Sequence, residues 1–330
     1  MIHLLKKINE MKAVVYKKFG PPAFLELCEV EKPIPKKNEV LIKVEATTVT
    51  TADCMMRRGD TVLSRILLGF IKPKKKYQIL GTEFSGIIET VGTDVKKWKT
   101  GDEIYGFRGF GTGCYAEYKC ISSSGSLAMK PVNITYEEAA SMVDGASTAL
   151  FFLNHKAKIK SGQKVLINGA SGSIGTFAVQ LSKYFGAEVT GVCSTKNIEL
   201  VKSLGADNVI DYTKEDFTKS NKYYDIIFDT VSKSSFKECN NVLTPTGRYI
   251  DTMFSLKRVS QSFWTKWFCK KKVIFAMSVN KTEALNFIKG LVEDGKLKTI
   301  IDGYYTLDQI TDAHAYVESG HKKGNIVIKI

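Results

Sequence analysis

The chain has 330 residues, 44% of them hydrophobic and 25% charged, and 48 Lys and Arg against 34 Asp and Glu give a formal charge of +14. These proportions are ordinary for a soluble globular protein with a sizeable core, the length sets two domains as the prior, and no apolar run approaches the ~18 residues of a membrane-crossing helix. The positive excess attracts anions such as nucleotides, nucleic acid or acidic membrane surfaces, but the lysines are mostly dispersed, and the clusters at 72–76 and 270–272 read as solubilising surface.

Seven cysteines (Cys28, Cys54, Cys114, Cys120, Cys193, Cys239, Cys269) are odd in number, scattered and without a CxxC pair. That argues for free thiols in a reducing compartment, here expected to be cytoplasmic, and against a disulfide framework or zinc knuckle. Residues 1–10 carry no cleavage-site pattern and read as a loose extension before the first strand.

In chain order, residues 11–19 and 39–46 alternate in strand fashion, with Pro33 and Pro35 breaking the chain between them. Residues 49–59 read as a turn entering a short helix. Glycines inside the β-rich run 79–91 suit bends in a small barrel, and 101–107 and 113–120 continue the pattern. Near Pro131 the pattern changes. Residues 135–155 predict two helical pieces, with Thr135 as cap and Glu137 and Glu138 in the first turn.

Residues 164–196 hold the stretch that organises the chain. Val165 to Ile167 is a short apolar run, Gly169, Gly172 and Gly175 follow at three-residue spacing, and Ile174, Phe177, Ala178, Leu181 and Phe185 recur at helical period. Gly186 suits a helix stop, and a second apolar run covers 188–194. Strand, glycine turn, helix, strand is a βαβ unit suited to a dinucleotide: a pyrophosphate needs backbone N–H groups at a helix N-terminus and no β-carbons in the way. An NAD site carries Asp or Glu at the end of the second strand, for the ribose hydroxyls. This chain has Cys193, Ser194, Thr195 and Lys196 there. Hydroxyls and an ammonium would bind a 2′-phosphate that a carboxylate would repel, so NADPH is expected over NADH. The alternative for Lys196 is a solvated residue opening the next helix.

Further strands are expected at 208–212, 224–229, 248–251 and 273–277, with a helix at 234–243 closed by Pro245 and Gly247. Strands alternating with helices predict a parallel, doubly wound α/β sheet. Helices at 282–292 and 307–317 and a last strand at 324–330 follow, this tail returning to the β-rich part.

These stretches together resemble the medium-chain dehydrogenase/reductase superfamily, in its zinc-independent quinone oxidoreductase branch. The resemblance is carried by 49–59, 81–91 (GTEFSGIIETV), 101–107, 146–150 (ASTAL), the glycine turn, 204–212 (LGADNVIDY) and 320–328 (GHKKGNIVI). It implies a Rossmann sheet plus a GroES-like β-barrel domain: residues 1–130 as the first part of the substrate domain, 131–280 as the NADP-binding domain, and 281–330 as the return to the GroES-like part. The zinc ligands of metal-dependent members fall near Thr50, Thr82 and Asp144, a set poor in the N and S donors zinc prefers, so no zinc is expected.

By the same resemblance, Gly169, Ser171, Gly172, Ser173, Ile174 and Gly175 would cradle the pyrophosphate. Ser194, Lys196 and Tyr212 would surround the 2′-phosphate and adenine. Thr148, Thr230, Thr252 and Asn325 would lie near the nicotinamide, which would face the cleft between the domains. The implied activity is hydride transfer from NADPH to a quinone or a conjugated enal or enone. No catalytic residue is assigned; Thr50, Tyr105 and Tyr115 are candidates. His155, His314 and His321 read as surface or helix residues. The branch often has Asn in place of Thr50 and Lys in place of Asn325.

The segment 263–273 (FWTKWFCKKKV) sets four aromatics beside four lysines and reads as a pocket wall or dimer contact, with a membrane-surface anchor as the third reading. A homodimer through the sixth strand, a small-molecule acceptor, no membrane span and no nucleic-acid partner are the expectations. The alternatives are a weakly catalytic NADPH-binding protein with RNA or membrane-surface contacts, or a zinc alcohol dehydrogenase with displaced ligands.

Overall fold

The computed structural model describes residues 10–60, 62–253 and 255–330, so the expected extension at 1–9 lies outside the described residues. Chain contacts divide the protein into two units, one formed by residues up to Asp144 with Val279–Glu293 and Ile301–Ile330, the other by Gly145–Ser278 and Asp294–Ile300.

The first unit opens with β1 (Glu10–Tyr16) and β2 (Leu25–Glu31), an antiparallel pair, then β3 (Glu39–Thr48), α1 (Thr51–Arg58), α2 (Val62–Leu68), β4 (Glu83–Val91), β5 (Glu103–Phe107), β6 (Tyr118–Ser122), β7 (Ser126–Met129) and α3 (Tyr136–Leu150), which runs across the boundary. The expected two helical pieces at 135–155 are one continuous helix whose last turn, Phe151–Lys156, widens to π geometry. The second unit follows with β8 (Lys164–Asn168), α4 (Ser173–Tyr184), β9 (Glu188–Cys193), α5 (Ile198–Ser203), β10 (Asn208–Asp211), β11 (Tyr224–Asp229), α6 (Phe236–Cys239), β12 (Leu243–Asp251), α7 (Leu256–Phe268) and β13 (Lys272–Ile274). The tail returns to the first unit as α8 (Thr282–Glu293), β14 (Ile301–Thr306), α9 (Ile310–Glu318) and β15 (Asn325–Lys329).

In the β unit the sheet order is β14-β15-β3-β4-β5-β7, with β6 also on β3. Alternation along β3 and β4 turns Val40, Ile42, Val44, Phe84 and Ile88 into one core with Ile104 and Trp98. A second core gathers Val14, Tyr16, Cys54 and Leu80 with Ile310, Ala313 and Val317 of α9.

The other unit holds a six-stranded sheet in the order β10-β9-β8-β11-β12-β13, with every pairing parallel. Strand order reverses between β8 and β11, the switch point at which such sheets bind ligands beyond their carboxyl ends. Buried Val165, Leu166 and Ile167 of β8 account for its unbroken apolar run.

Two expectations are corrected here. Helix 234–243 is only the four residues of α6 and one 3-10 turn, because Leu243 already pairs with Tyr224 and β12 runs through Pro245 and Gly247. The sixth strand stops at Ile274: only Lys272 to Ile274 find partners on β12, so 275–277 is not strand.

Candidate functional site

In the parallel-sheet unit the glycine turn is built from backbone. Gly169 leaves β8 at φ +82, a left-handed conformation, and the amides of Gly169 and Ala170 both donate to the Val192 carbonyl, at 3.1 and 3.0 Å. A β-carbon on Gly175 would stand 2.0 Å from the Gly169 carbonyl oxygen, so α4 packs onto the turn only with glycine there. Gly172 differs. A β-carbon there would meet nothing nearer than 3.4 Å, at an ordinary φ of −82.

Gly172 is also the N-cap of α4. No side chain caps the helix, and its first turn holds no acidic residue. Amides of a helix's first turn have no acceptor within the helix, and the dipole adds partial positive charge. A half-buried helix start without a cap, faced by open space at Gly172, fits a bound diphosphate. Beside it Asn197 donates to the Ser171 hydroxyl at 3.0 Å, while its own buried Oδ1 has no partner among the described residues. Asn197 escaped the sequence reading because nothing local marks it.

At the ends of β9 and β10 the structure brings Ser194, Lys196 and Tyr212 to one edge: the Tyr212 amide donates to the Cys193 carbonyl at 3.1 Å, and Lys196 and Tyr212 are exposed. A carboxylate does reach this edge, from Asp211 of β10. It is engaged by the Thr195 hydroxyl at 2.5 Å and by Thr213, and the Thr195 hydrogen bond, ahead of its other contacts, holds its carboxyl down at about 2. Thr195 therefore turns inward to Asp211.

Thr230 follows β11 and donates to the Asn168 carbonyl at 2.8 Å, so it and Gly169 flank the switch point. Two buried carboxylates sit at the same carboxyl edge. Asp229 accepts from Asn168 Nδ2 (3.1 Å), Ser234 (2.6 Å) and Tyr249 (3.2 Å); Asp251 accepts from Ser232 and pairs with Arg258, both at 2.5 Å. Burial pushes the Asp251 carboxyl up. These bonds pin the loops after β11 and β12, the second of which carries Thr252. Thr148 is buried on α3, whereas Asn325 begins β15 in the other unit.

The β unit holds a different kind of site. Thr50 caps α1: its hydroxyl donates to Asp53 Oδ2 at 2.6 Å and accepts from the Asp53 amide at 3.0 Å, a closed capping box. Asp53 is fully buried, and burial pushes its carboxyl up to about 6. Glu83 is also buried, taking hydrogen bonds from the Thr48 hydroxyl and, at 2.6 Å, from the Asp144 amide. Burial first, then the charge of Asp144, pushes the Glu83 carboxyl up to about 8. The Asp144 carboxylate pairs with Lys281, whose ammonium lies 4.3 Å from the centre of the Phe107 ring. Lys322 donates to the Gly324 carbonyl at 2.7 Å, and burial lowers its ammonium to about 8.

Zinc does not fit the residues near the expected ligand positions. The Thr50 hydroxyl is committed to Asp53, the Asp144 carboxylate to Lys281, and the set has oxygen donors alone. Among the described residues no three His, Cys, Asp or Glu side chains converge as metal ligands.

Tyr105 and Tyr115 are not placed as proton donors. Both are wholly buried, Tyr105 donating to the Leu285 carbonyl at 2.6 Å, and burial, before any nearby charge, drives both hydroxyls far above the ordinary phenol range. His314 is a helix residue, on α9, and lies in the core, with Nδ1 3.3 Å from Cys54 Sγ; burial lowers its imidazole to about 3, leaving it neutral. His155 and His321 are exposed.

The alcohol dehydrogenase GroES-like domain model matches residues 36–131 and the zinc-binding dehydrogenase model residues 204–328. A chloroplast envelope quinone oxidoreductase homolog of Arabidopsis thaliana is 32% identical over 97% of this chain and 98% of its own. An NADPH-dependent alkenal/one oxidoreductase of the same plant is 30% identical over 97% of this chain and 80% of its own. The quinone oxidoreductase structure from Coxiella burnetii superposes with a TM-score of 0.88 at 31% identity, covering 97% of this chain and 99% of that one.

Proposed function

The chain belongs to the medium-chain dehydrogenase/reductase superfamily, and on that footing we propose that it is a zinc-independent, NADPH-dependent reductase of quinones or of alkenes conjugated to a carbonyl. The observation that carries this reading is the uncapped start of α4 at Gly172, where a β-carbon would meet nothing nearer than 3.4 Å and first-turn amides face open space. Relatives with quinone oxidoreductase and alkenal/one oxidoreductase activity in their names support the choice of acceptor.

The bound nucleotide supplies a hydride for an electron-poor acceptor. The chain binds and orients. Gly169, Ser171, Gly172, Ser173, Ile174 and Gly175 hold the diphosphate. Ser194 and Lys196 take the 2′-phosphate, and Tyr212 lies along the adenine. Asp211 does not oppose this, because its charge is held by Thr195 and Thr213 and offset by Lys214, 3.7 Å away. Thr148, Thr230 and Thr252 serve the nicotinamide end, with Thr230 and Thr252 fixed through the Asp229 and Asp251 networks. No Lewis acid polarises the acceptor, so acceptors must already be activated, as quinones and enones are. Thr50 acts as the cap that positions α1.

We place the protein in a reducing compartment, in keeping with seven free cysteines, and assign the cytoplasm. No helix among the described residues is long and apolar enough to cross a membrane. We further assign a homodimer through the unpaired edge of β13; Ile274→Lys would then elute as a monomer, and an unchanged dimer would remove the assignment.

A panel of quinones, enals and enones, followed by the absorbance of NADPH and then NADH, tests the function. NADPH should be consumed faster than NADH with at least one acceptor. No consumption of either with any acceptor overturns the reading.

A further inference from the structure

Helix α7 has one face against its own unit, and among the described residues its other face is exposed. Thr265 is buried and its hydroxyl accepts from the Val273 amide at 3.0 Å, tying the inner face to β13. Phe263, Trp264, Trp267 and Phe268, spaced to share the opposite face, are 63–71% exposed. Trp264 and Phe268 stack at 4.6 Å between ring centroids, forming one aromatic ridge.

The charge along this segment of the chain has a single sign. From Thr252 to Thr282 the sequence has no acidic residue and seven basic ones. Arg258 is paired with Asp251, Lys281 with Asp144, and Lys272 turns inward to cap the last carbonyls of α7 at Thr265, Lys266 and Cys269. Lys266 and Lys270 are exposed beside the ridge.

We propose that α7 docks this protein on the surface of a lipid bilayer rich in anionic phospholipid, its aromatic ridge in the headgroup layer and Lys266 and Lys270 on lipid phosphates. Tryptophan favours that layer, being apolar in body and polar at one edge, and flanking ammonium groups supply the attraction to anionic lipid. The helix lies on the bilayer and does not cross it: 13 residues reach about 20 Å, against a hydrocarbon core of about 30 Å. A second copy of the chain is the poorer occupant. A two-fold contact through this ridge would bring Lys266 and Lys270 towards their own copies, like charge to like.

The chain reports on this face unaided, since two of its three tryptophans are on the ridge and the third, Trp98, is buried. The full-length protein is sedimented with phosphatidylcholine vesicles and with vesicles containing about one-third phosphatidylglycerol, at low and at physiological salt. It should partition to the anionic vesicles alone, with a blue shift in tryptophan emission and weaker binding at higher salt. Partition should drop about tenfold or more in Trp264→Ser/Trp267→Ser and in Lys266→Glu/Lys270→Glu, with melting temperature unchanged because these side chains are exposed. Three results overturn the proposal: equal binding to both vesicles or none; unaltered binding in both double variants, which puts the contact elsewhere, as at the exposed Ile66, Leu67, Phe70 and Ile71 before Lys72; or no vesicle binding with a smaller particle in the tryptophan variant, which makes a second copy the occupant.

Discussion

The anion site proposed at the turn between β8 and α4 uses no charged side chain, only glycines, first-turn amides and an uncapped helix start. In the β unit Asp53, Glu83 and Asp144 are gathered with Lys281 and Lys322, and the chemistry lies wholly in side chains drawn from distant parts of the chain. A backbone site tolerates changes in everything except the space its glycines leave. A side-chain network tolerates changes in shape but not in charge balance. The two regions should therefore fail in different ways when mutated.

The largest effect is expected at Gly175→Val. With a β-carbon 2.0 Å from the Gly169 carbonyl oxygen, α4 must leave the turn. NADPH binding, read by fluorescence titration, should weaken about a hundredfold or more, with a stability loss of about 3 kcal/mol. In the side-chain region, Asp144→Asn removes the counter-charge of Lys281, whose side chain is 1% exposed, while Asp144 itself is partly open to solvent. The expected loss is about 2 kcal/mol in urea unfolding, the buried-pair figure reduced for screening, with NADPH affinity unchanged. A loss of NADPH binding there without a loss of stability would erase the contrast.

The reach of the sequence follows the same divide. The turn carrying Gly169, Gly172 and Gly175 could be read directly, because the strand end, the turn and the helix start lie within a few residues. Glu83 and Asp144 are 61 positions apart, and Cys54 and His314 are 260 apart, so no spacing announces either contact. Tyr105 and Tyr115 look alike as reachable phenols in a β-rich stretch; only tertiary packing buries them, Tyr105 against α8 and Tyr115 in the core with Val14, Tyr16 and Leu80. The apolar run 273–277 reads as a full strand, yet β12 offers partners to its first residues alone. Asn197 and Asp211, at the edge proposed for the nucleotide, are ordinary polar residues until β9 and β10 are side by side.

Smaller effects sharpen the comparison further. Lys196→Ala should weaken NADPH about tenfold and leave NADH untouched, since one charge-assisted contact to a 2′-phosphate is lost. Equal losses for both nucleotides would show that Lys196 acts only through the loop. The smallest effect is a pH dependence. The folded protein holds the Glu83 proton to about pH 8, against an ordinary carboxyl value of 4.5, so the folded state binds more protons than the unfolded one between those limits. Its contribution to stability is complete below the ordinary range and is lost as pH rises towards 8. Melting temperatures of wild type and Glu83→Gln should thus diverge with rising pH, with wild type losing ground; a constant difference would contradict the buried, protonated Glu83.

Gly172→Ala puts the backbone account to its most direct test. A methyl group there has room in the fold at 3.4 Å from its nearest neighbour but stands where the diphosphate would lie. Titration calorimetry with NADPH, alongside thermal unfolding, should give an affinity lowered about tenfold or more with the melting temperature unchanged. Wild-type affinity in that variant would contradict the claim that the α4 start holds the nucleotide.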